Sequence, residues 1–511
     1  MVVDKKKDIL LYLRDVILSS ASIGLLLQVS KTDSISGIEW VSNVGSAPIF
    51  LLACLQISSI PSLIRLRPYK SDIKYNHKEI TELANELSSF ASGFIVFFLG
   101  LMIAIMIQCL RYGIDYNSTS LNQTLSYSYF LENEQHLLYC IFAGLQVSIV
   151  SGLLSIASSV IFKISGCYRI ALIMPILLLK VEDLVANVAY GTTSAKYYYG
   201  SIYVLSFGSL KYNLYNSTHI VRILISLFIL LTILILSFFL RSIYPLINDK
   251  QLIRKMFWFI FIVSLLAVLL ASVLRGILLY VSNTEEEISV FFISHLLDNT
   301  HILFFVGLIF CLYIDSNWIN EKSYIRFIIK SIVNPMLILL ILFLLFLLVL
   351  FPNISFANSW GKVVHTLSYA PPLQEYEFIV IANHIIEEEY SPIEAAVKSM
   401  ILLFLSLVFI YLFFMMLRVI ANEILATTSI TISILMISAG ELFERKSWLY
   451  YLSPLSWTRL SLNENISLGA FSYPSFLEKL IVLLLLNAVL ITALYFMQIK
   501  TKVKIMGKTH S

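Results

Sequence analysis

Long runs of apolar residues alternate with short polar interruptions along the whole chain, and the period of that alternation is set by membrane thickness rather than by a soluble core. A helix needs roughly 20 apolar residues to cross the hydrocarbon layer, somewhat fewer where the bilayer thins or end residues snorkel. Twelve segments meet that condition. In the first half they lie near residues 16–30, 47–63, 90–110, 137–162, 168–184 and 220–240. In the second they lie near residues 256–281, 293–314, 332–351, 400–417, 424–439 and 477–497. The reading is an all-α polytopic membrane protein of about 12 transmembrane helices, divided into residues 1–249 and 250–511.

Composition agrees. Of the 511 residues, 58% are hydrophobic and 13% charged, which leaves no water-soluble domain large enough for a catalytic core. The net charge of +4 marks no nucleic-acid surface, because the basic residues follow the expected topology instead of forming a dense patch. With an even number of spans both termini share a side, and the basic residues place it in the cytoplasm: Lys5, Lys6, Lys7 and Arg14; Arg65, Arg67, Lys70, Lys74 and Lys78; Arg241, Lys250, Arg254 and Lys255; Lys500, Lys502, Lys504 and Lys508. Loops assigned outside are polar or acidic, as at Glu285–Glu287 and Glu387–Glu389, and they contain the sequons at Asn117, Asn122, Asn216, Asn353 and Asn465. Cys54, Cys109, Cys140, Cys167 and Cys311 show no metal or redox spacing and read as small buried hydrophobes. The basic start followed by an apolar run is not a cleaved leader, because Arg14 and Asp15 interrupt it; a retained interfacial helix leading into the first span is expected.

The two halves share a loop plan. Each has an inner loop after its second span, a long outer loop after its third, a tight inner turn after its fourth and a long outer segment after its fifth. Lys70-Ser71-Asp72-Ile73-Lys74-Tyr75 in the first inner loop is matched by Lys322-Ser323-Tyr324-Ile325-Arg326-Phe327 in the second. Equal placement of this K-S-x-I-basic-aromatic pattern points to duplication, and since both halves start inside, the repeat is parallel. The first copy continues into a helix that Asn76 can cap, with Glu79 at capping-box spacing. On that helix Ile80, Leu83, Ala84 and Leu87 are expected to share an apolar face, with Glu79, Glu82 and Glu86 on a polar one. A helix lying on the inner leaflet is the alternative reading of this segment.

With this loop plan and these motifs the chain resembles the membrane-spanning subunits of ABC-2 type exporters, two six-span domains of that kind being fused head to tail. The resemblance implies an elbow helix at KKKDILLYLRD and coupling elements at residues 66–89 and 315–331 that dock on separate ATPase subunits, two copies or a homodimer. It implies re-entrant outer segments at residues 181–213 and 440–471, the second containing YLSPLSW, and a short inner link at FKISGCYRIALIMPILL. The residues it assigns to coupling are Lys70, Asp72, Lys74, Tyr75, Glu79, Glu82, Lys322, Tyr324, Arg326 and Phe327. The outer loop at residues 352–399 is longer than the family plan requires.

Chemistry beyond transport is sparse. No GxxxxGK[ST] phosphate loop is present, the terminal Gly507-Lys508-Thr509 lacking both the earlier glycine and a following helix, so no cofactor is expected in this chain and ATP and Mg are expected in the partner subunit. No Ser/His/Asp or Cys/His order suggests an enzyme. Charged and polar groups inside spans are costly and mark substrate-path candidates, here Arg275, Asp298 and Gln146. Lys180 with Glu182 and Asp183 reads as a snorkelling or self-paired cluster. His295, Asp298 and His301 have helix-face spacing but no fourth ligand, so an interhelical hydrogen-bond cluster is preferred over a metal. Membrane lipid is the other expected partner, and the Ile-, Lys- and Asn-rich composition suggests a low-GC bacterium with the protein in its plasma membrane. Two further classes stay open: an ion-coupled secondary transporter, although the inner loop lacks a GxxxDRxGRR-like signature, and an integral membrane enzyme.

Overall fold

The computed structural model describes residues 2–29, 48–66, 79–112, 136–165, 167–177, 179, 307, 324–350, 359–361, 365, 388–437, 454–458, 460 and 475–509. These residues are helical almost throughout and include no strand, as expected where lipid offers the backbone no hydrogen-bond partner. The chain divides into two compact units, Met1–Trp258 and Phe259–Ser511. The boundary expected from the sequence, at 249 and 250, lies outside the described residues. Four helical stretches are long and apolar enough to cross a membrane: Leu11–Gln28, Asn85–Arg111, Pro392–Ile420 and Phe476–Met497. These make the protein membrane-embedded in character.

In the first unit α1 (Val2–Val29), α2 (Pro48–Ser58), α3 (Ile60–Arg65), α4 (Glu79–Tyr112) and α5 (His136–Ser165) pack together, and α6 (Tyr168–Leu177) follows with its Tyr168 ring 4.3 Å from that of Phe162. The register is read from the contacts. Ser20 and Ile23 meet Gly100, Gly24 meets Ile103, and Gln28 reaches Ala104 and Gln108, so α1 and α4 run parallel. Along α5 the order reverses: Lys163 meets Glu86, Ser155 meets Gly93 and Gly144 meets Leu101. Ser58 and Ser62 bond Ser151 and Ser155, which sets α2 and α3 parallel to α5.

Helices approach this closely because their contact points lack side chains. A Cβ at Gly100 would stand 2.6 Å from Ile23 Cγ2, one at Gly93 2.6 Å from Ser155 Cβ, and one at Gly152 2.6 Å from the Phe90 ring. Lipid tails are as apolar as Leu, so association rests on such close backbone approach and on interhelical hydrogen bonds. The break between α2 and α3 at Ser59 has a local cause: Pro61 lacks an amide proton, and the Ser58, Ser59 and Ser62 hydroxyls donate back to carbonyls of their own helix.

In the second unit α7 (Tyr324–Leu350) packs on α8 (Pro392–Ile420), which folds back through Ala421 and Asn422 into α9 (Glu423–Ile437) and lies beside α10 (Phe476–Thr509). Asn487 bonds the Leu405 carbonyl at 3.1 Å, while Lys398 lies 5.4 Å from the Phe476 ring centroid, so α8 and α10 run parallel. Tyr324 meets Tyr495 and Phe327 meets Tyr411, which makes α7 antiparallel to both. Starts are fixed by capping. Ser391 accepts from the Glu394 amide ahead of Pro392, Ser475 and Glu478 exchange bonds reciprocally, and Asn422 accepts from the Leu425 amide.

Three expectations need revision. The elbow segment and the first span form one continuous helix, because nothing between Val2 and Ile23 breaks it: no proline or glycine occurs there, and Arg14 and Asp15 pair with each other. Capping by Ser391 and Pro392 ends the second half's long outer loop at the start of α8, several residues before the expected position 399. Glu86 is buried and Leu87 is 46% exposed, the reverse of the expected amphipathic faces, since α4 carries Glu86 straight into the bundle against Lys163 and turns Leu87 outward. Outward-facing Leu477, Ile481, Leu484, Leu485, Val489 and Phe496 of α10 likewise form an apolar stripe suited to lipid rather than water.

Gly100→Ala should lower the stability of the purified protein by about 1–3 kcal/mol, since Ile23 is fully buried and the Ser20 carbonyl is backbone, so neither can yield. Thermal unfolding in detergent reads this; an unchanged midpoint contradicts the close-approach account.

Candidate functional site

The expected coupling residues divide by what the structure describes. Lys70, Asp72, Lys74, Tyr75 and Lys322 lie outside the described residues, as do Arg275 and Asp298 of the substrate path and the His295/His301 cluster. Glu79 and Glu82 stand on the first turns of α4, which runs without interruption into the membrane-length stretch Asn85–Arg111. Arg326 lies on the first turn of α7 and Gln146 within α5, their backbone alone being described.

Tyr324 and Phe327 have complete surroundings. Phe327 is fully buried, its ring 5.8 Å from that of Tyr411, and Tyr324 is half-buried between Phe327 and Tyr495. The Tyr324 hydroxyl donates to the carbonyl of Ile491 on α10. Burial, and then the neighbouring Tyr495, push this hydroxyl above its ordinary range, which keeps it the protonated donor that the bond needs. These two aromatic residues therefore tie the beginning of α7 to α8 and α10, Phe327 with no exposed surface and Tyr324 with part of its ring exposed. What they fix in place is the first turn of α7, where Arg326 stands.

In the first unit the equivalent work falls to an ion pair. Lys163 on the last turn of α5 pairs with Glu86 on α4, two turns from the beginning of that helix, and Arg65 of α3 donates to Ser88 beside it. Glu86 has 7% of its side chain exposed and Lys163 31%, so the carboxylate is the buried partner while the ammonium reaches the rim. Sequence reasoning assigned Glu86 to a solvated face. The signal that was available is the polar stripe on α5, where Lys163, Ser159, Ser155, Ser151 and Ser148 recur at three- and four-residue spacing.

That stripe builds the second polar feature. Ser151 donates to Ser58 at 2.6 Å and lies 3.0 Å from the Gly93 carbonyl, and Ser155 donates to Ser62 at 2.9 Å. Near the other end of α4 Gln108 donates to Gln28 at 2.5 Å, and Gln28 to the Ala104 carbonyl at 2.7 Å. In the second unit YLSPLSW runs into the 3-10 turn Pro454–Thr458, whose Leu455 and Trp457 are buried and which packs on α8, α9 and α10. Lys398 at the start of α8 pairs with Glu394 at 2.8 Å and stands 3.5 Å from the Tyr390 ring centroid.

Comparison with known proteins finds no matching family model, no similar curated protein and no similar solved structure. Nothing among those comparisons identifies an ABC-2 permease, so that resemblance rests on architecture and motifs.

Lys163→Met should destabilise the protein more than Glu86→Gln. The first leaves a charged, buried carboxylate without its cation, a loss of about 3 kcal/mol, whereas the second leaves a lysine that reaches the rim and costs about 1 kcal/mol. Thermal unfolding of both variants tests the order; the reverse order contradicts the burial asymmetry.

Proposed function

We propose that the chain is the membrane-spanning permease of an ATP-driven exporter, with twelve spans in two tandem six-helix domains and its motor in a separate ATPase subunit. The observation that carries this reading is the repeated K-S-x-I-basic-aromatic segment, placed before the third span of each half. A pair of ATPases acting in concert needs one polar docking element per half, rigidly joined to a helix that enters the bilayer. The first element leads into α4, whose opening turns carry Glu79 and Glu82; the second leads into α7, whose opening turn carries Arg326. A push on the opening turn of either helix is carried along that helix toward the bilayer.

The charge distribution supports an inner location for these ends. In the first unit, Lys5, Lys6, Lys7, Arg65 and Lys163 stand on helix segments at the end where α4 begins, against Arg111 at its other end. In the second unit Arg326, Lys330, Arg418 and the α10 residues Lys500, Lys502 and Lys504 stand at the end where α7 begins. The chain's cargo would be a peptide, bacteriocin, lipid or drug-like molecule, the classes that the resemblance implies.

One observation favours a second reading, an ion-coupled secondary transporter: ionisable groups buried between membrane helices, as Glu86 is, commonly mark ion paths.

Charge reversal at Asp72, Lys74 or Glu79, and at Arg326 in the second copy, should reduce co-purification with the ATPase subunit by about fivefold, the loss of roughly 1 kcal/mol of charge complementarity. Undiminished binding in all four variants counts against the assignment, and transport by the purified chain alone in proteoliposomes would replace it with the ion-coupled reading.

A further inference from the structure

On α2, α4 and α5, four buried polar side chains besides Gln108 have a hydrogen-bonding atom that meets no protein partner among the described residues. They are Glu86 through Oε2, Ser92 and Ser159 through their hydroxyls, and Gln56 through both ends of its amide. None is more than 5% exposed. Ser159 is fully buried and lies one helical turn inward of Lys163 on the stripe that continues through Ser155, Ser151 and Ser148. From Lys163 to Ser148 the stripe spans about 22 Å, most of the thickness of a hydrocarbon core. An unpaired polar atom in lipid-like surroundings is costly, and the usual resolution is bound water. The serine pairs at Ser58/Ser151 and Ser62/Ser155 show that hydroxyls along this seam already bond across helices, each keeping lone pairs for a further donor.

We propose that the Glu86–Lys163 pair is a gate, closing a hydratable polar seam between α3, α4 and α5 that admits water and small polar solutes when the pair parts. The geometry of the pair suits this. Glu86 is held on the membrane-length part of α4, while Lys163 ends α5 on a flexible four-carbon stem whose ammonium already reaches the rim. Parting the pair lets that ammonium go to water without unfolding either helix, and it opens the turn at which Ser159 stands. The closed state is favoured because Lys163 is the cation paired with this carboxylate among the described residues, Arg65 being directed to Ser88. Small residues line the path: Gly93, Ser151 and Ser155 meet with no bulky side chain between them, so a modest separation of α4 from α5 makes room for a file of water.

The test uses the full chain in lipid nanodiscs, with Cys54, Cys109, Cys140, Cys167 and Cys311 replaced and Ser159→Cys as the only thiol. The probe is a charged, membrane-impermeant methanethiosulfonate. Labelling should be slow with the native pair, about tenfold faster with Lys163→Met or Glu86→Gln, and slow again in the charge-swapped Glu86→Lys/Lys163→Glu protein. Should the single variants fail to fold, Glu86→Asp keeps both charges but shortens the reach, and an intermediate rate is expected. Equal rates in all backgrounds overturn the gate, as does a charge-swapped protein that labels as fast as the single variants or a Glu86→Asp protein that labels at the native rate.

Discussion

Helix association without a hydrophobic driving force is the constraint on which the first unit depends. Where the surroundings are hydrocarbon, burying a leucine against another helix gains little over leaving it in lipid, so helices cohere through close backbone approach and polar bonds. Gly24, Gly93, Gly100 and Gly152 supply the approach, and Ser58, Ser62, Ser151 and Ser155 supply the bonds that such proximity allows. Where α4 begins and α5 ends, the same closeness brings Glu86 and Lys163 together. A bulkier stripe would have separated α4 from α5 and left Glu86 to water.

The second unit meets the constraint differently. Its described core contains Phe327, Tyr411, Phe414, Leu402, Leu403, Leu412, Leu483 and Leu494, with dispersion and ring contacts in place of glycine notches. Its polar bonds include the Tyr324 hydroxyl on the Ile491 carbonyl, the Asn487 amide on the Leu405 carbonyl, and capping serines at the starts of α8 and α10. If the halves arose by duplication, the loop plan has been kept while the means of packing has diverged. Lipid-facing and helix-facing positions tolerate such divergence more readily than the docking segments, whose geometry a partner would impose.

Much of this was legible in the sequence, for a reason that also sets its limit. Hydropathy reports which stretches form long apolar helices, and α4, α5, α8 and α10 cover the apolar runs it marks near residues 90–110, 137–162, 400–417 and 477–497. Hydropathy carries no information on which side of a helix meets another helix. Leu87 and Glu86 were therefore assigned by the rules of a surface helix, apolar inward and charged outward, whereas in a membrane bundle the apolar side can face lipid and the charge can face its partner. The ends of helices shifted for a different cause. Caps such as Ser391 with Glu394 start a helix before its apolar run begins, so α8 opens at Pro392 rather than near residue 400. The K-S-x-I pattern likewise says nothing of the contacts that Tyr324 makes with α10 and Phe327 with α8.

Everything functional rests on both docking segments facing the cytoplasm, since an ATPase can reach them nowhere else. Single cysteines placed at Asp72 and at Lys322, in a protein otherwise free of cysteine, measure this directly when a membrane-impermeant thiol reagent is applied to vesicles of opposite orientation. The account predicts that both positions react in inside-out vesicles and stay protected in right-side-out ones; reaction of either from the outer face would contradict it.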